Sequence, residues 1–179
     1  TGTANLLGGK ISWAISQGSS QSGTFLRSFI HLGFNQDETG RIVFDGSNPN
    51  IAQRLLAMNV RFGVTNGGAG IYEAGSDGVV WWEDYTDEIR HRPTAGLLDR
   101  CRATETCPRI VETFGASEFY NLRASPALVG PHADRDIPLP SNVRRYFFPG
   151  VSHGGGPGGF DPNPHVQDCC GLTQNPNAS

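Results

Sequence analysis

The spacing of hydrophobic and polar positions changes several times along the chain, and each change marks an element. Residues 11–17, Ile-Ser-Trp-Ala-Ile-Ser-Gln, alternate in part and predict a strand. The next six, Gly18-Ser19-Ser20-Gln21-Ser22-Gly23, are small or polar and predict a tight turn. Over 24–32, Phe25, Leu26, Phe29 and Ile30 recur at helical spacing, and Gly33 is placed to stop that helix. The segment therefore reads strand, sharp turn, helix.

Residues 35–40 are polar and turn-like, 41–46 read as a short strand, and Ser47-Asn48-Pro49-Asn50 reads as the turn that ends it. A short helix is expected over 52–58. From 61 to 105 the periodicity breaks down amid Gly67, Gly68, Gly70, Gly75 and Gly78, which predicts an irregular insertion packed over the core. Its Trp81 and Trp82 are candidates for a substrate pocket wall; the alternative is a pair of core tryptophans. Regular structure returns as a strand over 108–114, the start of a helix over 117–122, a loop over 128–136 and a second strand over 142–148. Beyond Gly154 the chain is rich in Gly, Pro and Asn, so 1–160 reads as one domain and 161–179 as a tail.

Composition narrows this picture without redirecting it. The 179 residues suffice for one domain with a real core. A net charge of −3 supplies no basic surface for nucleic acid or an anionic membrane. The sequence holds no apolar run near the roughly 18 residues of a membrane span. It starts at Thr1 without an initiator Met, and is expected to be a piece of a longer protein. Cys101 and Cys107 bracket a short loop that a disulfide could close, which would favour a periplasmic or secreted setting; two unpaired thiols are the alternative. Cys169, Cys170 and His165 lack the spacing of a zinc site, so no metal is expected.

The turn at 18–23 carries the chemistry. A serine hydroxyl attacks only if a base can take its proton and nearby N–H groups can receive the oxyanion. A sharp strand-to-helix turn lifts such a serine clear of the sheet and demands small neighbours. Ser20 has Gly18 two residues before it; Ser19 and Ser22, the competing nucleophiles, have no such glycine. The usual pattern has glycine two residues after the serine as well, where this chain has Ser22, followed by Gly23. The backbone N–H of Gln21 is the expected oxyanion donor. His153 follows the last strand in a loop flanked by Gly150 and Gly154, a placement that suits a general base better than that of any other histidine. His153-Gly154-Gly155-Gly156 also spells an oxyanion-loop motif, but that loop must precede the nucleophile. For the acid that orients the histidine, Glu118 and Asp45 both lie between Ser20 and His153 after strand candidates, while Glu112 is expected to face solvent or an ion pair.

With these residues laid out, the chain resembles the alpha/beta hydrolase domain-containing proteins of bacteria. The resemblance rests on residues 18–27, 33–41, Val43-Phe44-Asp45-Gly46, Ser117-Glu118-Phe119-Tyr120, Leu139-Pro140, residues 142–148, Gly150 and His153-Gly154. It implies an α/β-hydrolase fold of which only the C-terminal half of the sheet is present. It also implies Ser20 as nucleophile, Glu118 as acid and His153 as base. The activity so expected is hydrolysis of a small-molecule carboxylic ester, with no cofactor and with the rest of its own longer chain as a further partner. An amidase or peptidase on the same residues, and a catalytically silent fragment, are the rival readings.

Overall fold

The computed structural model describes residues 8–52, 54–55, 79–122, 124–132 and 134–154. Four strands, β1 (Ile15–Ser19), β2 (Gly46–Asn50), β3 (Arg109–Gly115) and β4 (Val143–Phe148), form one parallel sheet in the order β1-β2-β3-β4. Helix α1 (Gln21–His31) joins β1 to β2, α2 (Asp99–Ala103) lies between β2 and β3, and α3 (Ala116–Tyr120) and α4 (Ser125–Val129) lie between β3 and β4. Parallel neighbours in chain order need a crossover at every step, and right-handed crossovers all fall on the same face. The core agrees: Ile30 of α1 packs with Trp82, Leu97, Leu98 and Cys101 against Ile110 of β3 and Val143 of β4. The other face shows exposed Ile15, Val111, Tyr146 and Phe148.

The expected strands over 108–114 and 142–148 match β3 and β4 within a residue. The first strand is displaced from 11–17 to Ile15–Ser19, because Ile11 and Trp13 stay outside the ladder and exposed. The strand expected over 41–46 is wrong in place, and the supposed turn Ser47-Asn48-Pro49-Asn50 is itself most of β2. Phe44 leaves the sheet to pack its ring 5.8 Å from that of Phe29, and Asn35 brackets it with side-chain bonds to the Phe44 N–H and carbonyl. The small residues suit a central strand under a helix: buried Ser16 and Ser47 bond hydroxyl to hydroxyl at 3.0 Å. The loop expected over 128–136 begins inside α4, whose first turn tolerates Pro126 and whose end is set by Gly130 at φ 58°. The helix expected over 52–58 lies largely outside the described residues, as do 61–78 of the insertion and the tail at 161–179.

A buried charge cluster ties the layers together. Arg27 of α1 pairs with Glu112 of β3, both fully buried, and Arg145 of β4 donates to the other Glu112 oxygen at 2.6 Å. The Arg27 guanidinium also lies 4.6 Å over the Trp82 ring and donates to the Val80 carbonyl. Burial pushes it down to about 10, against the pull of Glu112 and with the help of Arg145. Glu112 thus makes the ion pair that was one of its two expected fates.

Cys101 and Cys107 are bonded, closing a loop with a sequence separation of 6 beside Leu97 and Leu98. Closing so short a loop restricts the unfolded chain by about 2 kcal/mol. Oxidised and reduced protein should therefore differ by about that much in unfolding free energy by denaturant titration. Equal stability, with both thiols labelled before reduction, would mean that the bridge does not form.

Candidate active site

Ser20 stands between the end of β1 and the start of α1, in the left-handed half of backbone space at φ 55° and ψ −120°. A non-glycine residue there stores strain of roughly 1–3 kcal/mol and persists only where its surroundings impose it. They do so here by crowding. A Cβ on Gly18 would lie 2.6 Å from the Ser22 carbonyl oxygen, and one on Gly23 would lie 2.7 Å from both the Gly18 oxygen and the Ala52 Cβ. The second glycine of the turn is thus Gly23, three residues after the serine, which lets Ser22 occupy the position where glycine was expected. The Ser20 N–H donates to the Asn50 carbonyl at 3.0 Å, and its own carbonyl accepts from Thr24 at 2.9 Å to open the helix.

The Ser20 hydroxyl makes no cap bond to α1. Its Oγ instead lies 2.7 Å from His153 Nε2. His153 comes from the loop after β4, which Gly150 turns at φ 77°. That loop is fastened to its neighbour after β3: the Ala116 N–H donates to the Val151 carbonyl at 3.0 Å, and a Cβ on Gly115 would collide with the same oxygen at 2.7 Å. The fastening places Glu118, in the first turn of α3, beneath the imidazole. Glu118 Oε1 lies 2.5 Å from His153 Nδ1, while Oε2 accepts the Gly115 N–H at 2.6 Å. The Glu118 side chain is 1% exposed and that of His153 is 40% exposed. A carboxylate only accepts, so it holds the ring proton on Nδ1 and leaves Nε2 free to accept from Ser20. Ser20 and His153 border an open cleft of about 510 Å³, whose other walls include Asn50, Ile51, Thr113 and Phe148.

A model of the alpha/beta hydrolase domain matches residues 1–175. The chain belongs to that family. No curated protein and no solved structure matches it significantly.

In this alpha/beta hydrolase chain Asp45, Trp81 and Trp82 lie away from the pair of Ser20 and His153, while Ser19 and Gln21 adjoin it. Asp45 precedes β2 and sits at the opposite end of the sheet from Ser20, where its carboxylate accepts the Ala14 N–H at 2.8 Å. Ser19 Oγ accepts from the Asn50 amide at 3.1 Å. Gln21 directly follows Ser20 as the first residue of α1, so its backbone amide stands at the positive end of an 11-residue helix. Trp81 and Trp82 are not cleft walls. Trp82 is 1% exposed in the main core, and Trp81 is buried in a second cluster with Val80, Ala127 and Ile137, its indole N–H on the Ala95 carbonyl. Among the described residues no group of three or more His, Cys, Asp or Glu side chains could hold a metal; Cys169, Cys170 and His165 lie outside them. The cleft residues Asn50, Ile51 and Thr113 carry no local signal in the sequence: Asn50 ends a strand with the composition of a turn, and Thr113 is an ordinary strand residue.

Proposed function

We propose that the protein hydrolyses carboxylic esters through Ser20, His153 and Glu118. The observation that carries this reading is the 2.7 Å approach of Ser20 Oγ to His153 Nε2 at a strained strand-to-helix turn. As Ser20 Oγ attacks the ester carbonyl, His153 Nε2 takes its proton, and Glu118 stabilises the imidazolium through Nδ1–H. The backbone N–H of Gln21 faces the developing oxyanion. The tetrahedral intermediate collapses, and the alcohol leaves with the proton from Nε2. His153 then draws a proton from water, the resulting hydroxide attacks the acyl-enzyme, and the acid departs with Ser20 restored.

An ester is the less demanding substrate for this pair of residues, because an alkoxide or phenoxide is a better leaving group than an amide nitrogen, which leaves only once it is protonated. The test pairs a fluorophosphonate label, mapped by peptide mass, with matched aryl ester and anilide substrates. Labelling at Ser20 with the ester turned over about 100-fold faster or more is the expected result. Anilide turnover equal to that of the ester would move the reading to an amidase, and an unlabelled Ser20 would move it to a silent chain.

A further inference from the structure

We propose that Asn50 is a positioning residue for Ser20, its side chain cross-linking the ends of three strands so that the strained turn keeps its place. Pro49 has no N–H to give, and the register between β2 and β3 passes over Asn48 and Pro49, resuming at Asn50 opposite Thr113. The middle of the sheet is therefore weakly laced just below the point where it must hold Ser20 rigid. The Asn50 amide makes good the gap sideways. Its nitrogen donates to Ser19 Oγ on β1 at 3.1 Å, and its oxygen accepts from the Thr113 hydroxyl on β3. The same residue's carbonyl receives the Ser20 N–H at 3.0 Å and lies 2.8 Å from where a Cβ on Gly23 would stand, so it sits inside the turn.

Ile51 completes the device. It is a β-branched residue held at φ 45°, with its N–H on the Thr113 carbonyl at 2.7 Å. Two strained residues, Ser20 and Ile51, thus leave neighbouring strands side by side, and Asn50 is bonded to the environment of both. Ser19, Asn50, Ile51 and Thr113 all border the cleft that holds Ser20 and His153. An Asn50 side chain lost from this row frees the end of β1 to shift, and small shifts of a nucleophile are costly to the rate.

This inference rests on the ester reading, and the experiment separates the two. The full chain and its Asn50→Ala, Asn50→Asp and Thr113→Val variants are compared for fluorophosphonate labelling rate at Ser20, for kcat and KM on one aryl ester, and for Tm. If the unaltered chain is not labelled at Ser20, the ester reading fails first. If it is labelled, Asn50→Ala is expected to lower both labelling rate and kcat by about 10- to 100-fold with KM nearly unchanged. Thr113→Val, which keeps the side-chain shape, is expected to move both in the same direction by less. Asn50→Asp, still able to accept from Thr113 and from Ser19, is expected to recover part of the loss. Unchanged labelling in Asn50→Ala, or a loss confined to KM, would overturn the proposal. Should Asn50→Ala fail to fold, Thr113→Val decides: a normal Tm with normal labelling would overturn it equally.

Discussion

Ser20→Ala is expected to lower kcat for a small aryl ester by about 10⁴- to 10⁶-fold, whereas Ser22→Ala keeps a substantial part of the activity. The size follows from the chemistry. Without Oγ there is no acyl-enzyme, and what remains is binding plus whatever the amides around the turn give to an attacking water. The contrast with Ser22 follows from the fold. Ser20 is the residue at φ 55° with its Oγ 2.7 Å from His153 Nε2, while Ser22 lies in the first turn of α1. Alanine accepts the backbone angle no worse than serine does, so Ser20→Ala should keep the Tm of the parent. That makes the loss readable as chemistry and not as unfolding. Kinetics on both variants, with circular dichroism as the control for folding, check this. An active Ser20→Ala beside a dead Ser22→Ala would place the nucleophile two residues later and dismantle the assignment of the turn.

How far the chain could be read depended on how local each signal was. The turn at 18–23 was legible because a backbone that folds back on itself admits only small residues, and that requirement is written in six consecutive positions. Strands β3 and β4 were legible because each carries a run of apolar and alternating residues. Strand β2 was not: Gly-Ser-Asn-Pro-Asn has the composition of a loop, and what makes it a strand is the pressure of α1 from one side and of β1 and β3 from both flanks. That is tertiary context overriding local preference. The misplaced β2 had a consequence at the site. With its strand set at 41–46, Asp45 stood at the end of a strand and competed for the histidine; with β2 at Gly46–Asn50 it stands at the beginning, on the far side of the sheet. Trp81 and Trp82 were ambiguous for a different reason. Large aromatics serve cores and pockets alike, and only burial separates the two uses.

Glu118→Gln is expected to cut kcat by about 10³- to 10⁴-fold while leaving the Tm close to that of the parent. The carboxylate has two customers. Oε2 accepts the Gly115 N–H at 2.6 Å, and Oε1 faces His153 Nδ1 at 2.5 Å. Glutamine has only one oxygen to serve both. If the amide oxygen stays on the Gly115 N–H, the cap of α3 survives, but the NH₂ group then points at Nδ1. A donor there forces Nδ1 to become the acceptor, and the ring proton moves to Nε2. Nε2 then presents N–H to Ser20 and cannot accept the hydroxyl proton, so the base is lost to the wrong tautomer. The opposite orientation sets an NH₂ against the Gly115 N–H inside a pocket where the side chain is 1% exposed, which leaves two donors facing each other without water. Asp45→Asn, remote from His153, is the control and should leave kcat within a factor of about two, because its carboxylate accepts the Ala14 N–H at the opposite end of the sheet from Ser20. A Glu118→Gln variant that keeps kcat within about tenfold of the parent would remove Glu118 from the role proposed for it.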